Sequence, residues 1–282
     1  MTDNLIIKKE SLVAIADAIR KKTGKTATMT VSQMKDEIAG IETGGGIPKF
    51  TDLSYFYANG ARYSQLKPEL LDTSKATTMS NIFKSNSFVT ALDLSAWDVK
   101  NVATMAYAFS DCTNLKTLNL TGWNTRQVSS MISMFESCKS LDMSCVKNLD
   151  TSKVKDMSAM FKYCSCETFD LSHFKTDRVT RMGSMFYYCN KLKSLNLTGW
   201  DTNGVTYMRD FVYSSRLLTD IYIKDSELRA DGQLKFKLPT SGVFDQIRTN
   251  GGKIHLSKTL ESNYKAATNW SAYTDIMVFD QP

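Results

Sequence analysis

"TLNLTGWNTRQVSSMISMFESC", Thr117 to Cys138, reads first as a strand and then as a short helix, and its order of apolar residues returns along the chain. Methionines recur at Met79, Met105, Met131, Met157, Met182 and Met208, in steps of 26 residues with one step of 25. Four positions after the first five come Phe83, Phe109, Phe135, Phe161 and Phe186, with Val212 closing the column. Seven positions after come Cys112, Cys138, Cys164 and Cys189, flanked by Asn86 and Ser215. Ala76, Val102, Val128, Val154, Val179 and Val205 precede the methionines by three, and Leu71, Trp97, Trp123, Leu149, Phe174 and Trp200 lie further upstream. A fixed period of this length marks a repeat architecture, in which each unit buries its faces only against its neighbours.

Within a repeat, apolar pairs alternate around one residue: Leu92 and Leu94, Leu118 and Leu120, Phe169 and Leu171, Leu195 and Leu197, Ile221 and Ile223. Period-two alternation predicts one strand per repeat. Offsets of zero, four and seven for Met, Phe and Cys predict a short helix with one buried face. The expected fold class is an α/β solenoid: a leucine-rich-repeat-like parallel sheet with one short helix per 25- or 26-residue coil, preceded by a small helical hairpin. The short step falls in "CSCETF", where Cys166 replaces a leucine of the other coils. The expected organisation is a hairpin at residues 1–43, a Gly-rich linker at 44–48, repeats at 49–223 and a C-terminal cap at 224–282, in which Tyr264, Trp270 and Tyr273 cover the last coil.

The Met and Phe columns recur at one phase and so read as core rather than as a methionine-rich surface. The cysteine ladder reads as free buried thiols, because metal sites gather ligands from close local pairs. Asp98, Asn124, Asp150 and Asp201 follow the aromatic column, where short polar side chains close turns; a repeated cation site is the alternative. The middle strand residues Asp93, Asn119, Cys145, Asp170, Asn196 and Tyr222 point away from the core and form the first candidate ligand-binding stripe, with a merely solvated face as the alternative reading. In that stripe Cys145 is expected to be an exposed, modifiable thiol. Tyr163, Tyr187, Tyr188, Tyr207 and Tyr213 form a second candidate surface, since Tyr supplies contact area at low entropic cost.

Composition narrows the function. With 282 residues, 42% of them hydrophobic, the chain can bury a sizeable core. The net charge of +6 is scattered among acidic residues, which argues against nucleic acid. Apolar runs such as "LVAIADAI" are far short of the ~20 residues a membrane span needs, and "MTDNLIIKKES" lacks the pattern of a secretory signal. The only histidines are His173 and His255, and His173 falls in a turn column. No nucleophile elbow, metalloprotease motif or phosphate loop is present, so neither catalytic residues nor a cofactor or metal are expected.

The N-terminal segment is a different unit. "SLVAIADAIRKKTG" puts Leu12, Ile15 and Ile19 on one helical face, and "TVSQMKDEIAGI" puts Val31, Met34, Ile38 and Ile41 on another, with Thr30 and Gln33 at capping-box spacing. Such a hairpin is too small to stand alone, so these seven residues are candidates for attachment or oligomerisation.

Repeats such as "LNLTGWDTNGVTYM" and "LDLSAWDVKNVATMAYAFSDC" resemble the BspA-like leucine-rich repeats, whose consensus is close to LDLSxWDTSxVTxMxxMFxxC, over about Thr51 to Ile223. The segment "ESLVAIADAIRKKTG" to "MTVSQMKDEIAGI" resembles a short element of tail and baseplate-associated proteins of phages that infect Gram-positive bacteria. Together these resemblances imply a non-enzymatic phage tail fibre or tail-tip protein that binds a bacterial surface glycan or protein and contacts other tail or baseplate proteins. It would be a homo-oligomer, a trimer being one option, located in the virion after assembly in the host cytoplasm. The alternatives are a cellular BspA-like adhesin at the bacterial surface, a purely structural tail component and an enzyme acting on cell-wall glycan.

Overall fold

The alternating pairs form short parallel strands. The computed structural model describes residues 51–54, 57–58 and 72–281; the hairpin candidates Leu12, Ile15, Ile19, Val31, Met34, Ile38 and Ile41 lie outside them, as does Leu71. Strands β1 (Ala91–Asp93) and β2 (Thr117–Asn119) pair with each other, and β3 (Thr168–Asp170), β4 (Ser194–Asn196), β5 (Asp220–Ile223), β6 (Lys253–Ser257) and β7 (Met277–Asp280) form a second sheet in chain order. Every pairing is parallel, with Leu92 opposite Leu118, and Phe169, Leu195 and Ile221 aligned. A second line of parallel bridges runs through Asp52, Thr78, Thr104, Ser130, Asp156, Arg181 and Tyr207. Among the described residues, no helix is long and apolar enough to cross a membrane.

The apolar columns stack between these two lines. All six methionines, the five phenylalanines and the four cysteines of the ladder are buried. Phe83, Phe109 and Phe135 stack ring on ring at 5.6 Å per step, and Trp97 lies over Trp123 at 6.5 Å. Polar columns are pinned between repeats in the same way. Thr125 Oγ1 donates to the Asp150 carbonyl at 2.9 Å and accepts from the Asp150 amide at 2.7 Å, and Thr151 and Thr176 repeat this one and two repeats on. Asp98, Asn124, Asp150 and Asp201 each accept from the amide two residues on, the turn-closing bond their side chains suit.

The expected helix in each repeat is replaced by a run of turns. From Met79 to Asn86, the amides of Ile82, Lys84 and Asn86 bond to the carbonyls three residues back, while those of Asn81, Phe83 and Ser85 reach the next repeat at Ala106, Ala108 and Ser110. Two residues per turn run take a positive φ, as with Asn81 and Ser85, Ser133 and Ser137, and Ala159 and Tyr163. Alternate amides can thus serve the turn and the neighbouring repeat, whereas an α-helix keeps all its interior amides for itself. The helix-like spacing of Met, Phe and Cys was therefore a correct reading of one buried face and a wrong reading of its backbone.

The third repeat forms no strand. Its residues enter a 3-10 helix, Met143–Asn148, in which the Asp142 side chain caps the Ser144 amide. Ser144 stands where the other repeats carry an inward Leu or Phe, while Met143 and Cys145 stand at outward positions. A strand in that frame would bury a hydroxyl and expose two apolar side chains; the helical turn instead buries Met143, Cys145 and Val146. The break separates β2 from β3, yet the line of bridges continues past it through Ser130 and Asp156.

Beyond Lys224 the parallel sheet continues rather than stopping. β6 and β7 are joined to the rest by helix α1 (Asp245–Thr249) and, between them, helix α2 (Glu261–Ala266). Tyr264, Trp270 and Tyr273 are buried here, with Trp270 edge-on to Tyr264 at 5.0 Å and to Phe236 at 6.2 Å.

Candidate functional site on the outer face of the sheet

Side chains at alternate strand positions face away from the core. Asp93 and Asn119 are opposite each other in register, as are Asp170 and Asn196, and each Asn side chain donates to the Asp at 3.0 Å. The same Oδ1 atoms of Asp93 and Asp170 accept from the amide and hydroxyl of Ser95 and Ser172. These serine bonds hold both carboxyls below the usual range, so the stripe carries fixed charge beside neutral amides. Its members therefore close turns and tie repeats together besides facing solvent.

Of the six stripe candidates, Cys145 is the one displaced. It is 6% exposed, and burial pushes its thiol up to about 12, the opposite of an accessible, modifiable cysteine. Asp93 and Asn119 sit on the near side of the third-repeat break. Asp170, Asn196 and Tyr222 sit beyond it, around an open depression of about 370 Å³ that Thr168, Phe169, Ser194, Thr198 and Lys224 complete.

Tyr222 brings in residues that the repeat pattern did not single out. Its ring stacks on His255 at 4.5 Å with planes 18° apart. His255 Nε2 lies 2.9 Å from Asp220 Oδ1 and Nδ1 lies 3.2 Å from Asp280 Oδ2, so carboxylates grip the imidazole at both edges. Lys224 pairs with Asp280 at 2.8 Å, and this ammonium, before the histidine, holds the Asp280 carboxyl below its ordinary range. A period-two signal marked this region all along, in "KIHLS", where Ile254 and Leu256 flank His255. The other histidine, His173, lies in its expected turn, edge-on to Phe174 at 4.8 Å.

The tyrosines cluster on a different surface. Tyr187 stacks on Tyr213 at 5.6 Å, Tyr163 meets Tyr187 and Tyr188 edge-on, and Lys162 lies over Tyr163. Tyr207 instead lies over Gly183, where a Cβ would fall 2.1 Å from its ring, and Arg181 covers it at 4.7 Å.

The buried cysteines show why their column holds small donors. Cys112, Cys138 and Cys164 each send Sγ to the carbonyl of the phenylalanine in the preceding repeat at 3.1 Å, Cys189 does the same to Phe161, and Ser215 does so through Oγ to Phe186 at 2.6 Å. Among the described residues, no cluster of three or more His, Cys, Asp or Glu side chains is arranged to hold a metal ion.

A family model described as "Mycoplasma protein of unknown function, DUF285" matches residues 51–145 and again 143–227, more than half of the chain. Its two copies meet where the third repeat breaks the sheet. Among curated proteins, none matches the chain. The repeats and their stacked columns make up the matched region, and the chain belongs to the DUF285 family.

Proposed function

We propose that the chain is a phage tail fibre or tail-tip protein that binds a bacterial surface receptor without chemistry of its own, and that its stacked repeats form a solenoid of the leucine-rich-repeat type. The reading rests above all on one observation: three of the outward strand residues, Asp170, Asn196 and Tyr222, converge on a single depression of the outer sheet face. Concave or outward sheet faces are where stacked repeats take ligands. The likeness of the repeats to BspA-like sequences, and of the first 43 residues to tail-associated proteins, supports attachment at one end and recognition at the other. Labelled full-length protein should bind intact bacteria of a susceptible strain and compete with infection, and antibody should decorate the distal tip of particles. Absence from the particle would sink the tail assignment, and a tip location without cell binding would leave a structural component.

A second reading is a cellular surface adhesin, favoured by the family description, which names a cellular organism, Mycoplasma. Antibody labelling of uninfected bacteria that encode the protein separates the two.

A further inference from the structure

We infer that the depression between β3 and β5 is a site for an uncharged pyranose sugar, with Tyr222 as the platform under the ring and the Asp170–Asn196 pair as the hydroxyl-reading edge. The inference builds on the receptor-binding reading and names its ligand class.

Of the six stripe candidates Tyr222 alone is aromatic, and it is held still. One face of its ring is occupied by His255, which Asp220 and Asp280 fix from both sides. A ring that has already lost its freedom loses little more on binding, which is how preorganised sites gain affinity. Next to it in register is Asn196 and beyond that Asp170. Among the described residues, the three donors to Asp170, Ser172 N, Ser172 Oγ and Asn196 Nδ2, converge on Oδ1, which leaves Oδ2 as an open acceptor. The hydroxyls of Thr168 and Ser194, paired in register along the same floor, have no partner among the described residues. Adjacent strands are spaced ~4.8 Å apart, so these groups form a row of donors and acceptors at near-regular intervals beside one flat apolar surface.

A pyranose has this division in its own structure: a face of C–H groups and a rim of hydroxyls that donate and accept. The carboxylate of Asp170 repels phosphate and sulfate, and Lys224, whose ammonium lies over the Tyr222 ring at 5.4 Å from its centroid, is already paired with Asp280. An extended peptide would seek free backbone groups, but the depression spans β3, β4 and β5, whose backbones already pair with one another.

The test uses the full chain and a panel of neutral oligosaccharides, lactose, maltose and diacetylchitobiose, with sialyllactose as the anionic control. At least one neutral probe should bind with a Kd of about 1 mM or tighter, with saturation transfer to its ring C–H protons. Tyr222→Ala should weaken that binding at least tenfold while Tyr222→Phe keeps most of it, the phenylalanine variant guarding against loss through misfolding. Asn196→Ala should weaken binding as well. Failure of every neutral probe to bind, equal binding by Tyr222→Ala, or binding of sialyllactose alone through its carboxylate would each overturn the inference. The two readings fail separately: if bacteria are bound by Tyr222→Ala as by the native chain, and protease but not periodate treatment of the cells removes binding, the receptor role stands and the sugar site falls. Sugar binding with no binding to any cell has the reverse meaning.

Discussion

Asp225 is 5% exposed; its Oδ1 accepts from the Gly199 amide at 3.0 Å, while its Oδ2 and the nearby hydroxyl of Tyr264 have no partner among the described residues. Burial raises the carboxyl above its ordinary 3.8. The folded state therefore binds the proton more tightly than the unfolded one, so stability falls as pH rises from 3.8 through the raised folded value. Asp225→Asn keeps the acceptor for Gly199 and removes the buried charge, and should stabilise by roughly 1 to 3 kcal/mol at neutral pH, a gain that disappears in acid; urea melts at a series of pH values read this directly. In the thiol column the donor matters as much as the volume. Cys138→Ser retains a donor to the Phe109 carbonyl, as Ser215 does for Phe186, whereas Cys138→Val removes it and adds a branch, and should cost about 1 to 3 kcal/mol more. The sequence marked this column as small and buried, but its reason, a carbonyl waiting one repeat below, depends on two repeats lying side by side and leaves no local signature.

At the scale of elements, the turn run makes a prediction that a helix would reverse. Ala159 holds a φ of 55°, a left-handed conformation that costs a residue with a Cβ roughly 1 to 2 kcal/mol. Ala159→Gly relieves that cost and should raise stability by about 0.5 to 1 kcal/mol after the extra freedom of the unfolded glycine is subtracted, whereas in a helix it would lower stability by about the same amount. Thermal melting decides by its sign. Strands and columns were legible in the sequence because alternation and stacking repeat at one period. The turns were not, since Met, Phe and Cys at helical spacing bury one face in either backbone. The third repeat was legible in retrospect: Ser144 at an inward position contradicts a strand, but only once its neighbours in the column are aligned with it. In the outer stripe, the alternation in "KIHLS" marks His255 as outward-facing, but its stacking on Tyr222, 33 positions back and outside the regular period, depends on β6 adding to the sheet beside β5.

Across the whole molecule, stability passes from neighbour to neighbour, because each repeat touches mainly the ones beside it. Phe135 lies between Phe109 and Phe161 with no exposure, and Phe135→Ala should cost roughly 3 to 5 kcal/mol in urea titration. Hydrogen exchange should show the loss centred on the Met131 repeat and its neighbours around Met105 and Met157, and smallest at β6 and β7; uniform loss along the chain would mean a single cooperative core instead. The thiol ladder has a further meaning at this scale. All six cysteines are free, five of them are buried, and the four of the ladder point their S–H groups at carbonyls of the preceding repeat. A fold that uses its ladder thiols as hydrogen-bond donors rather than in cross-links needs no oxidation to hold its shape, so added reductant should leave its thermal melting unchanged.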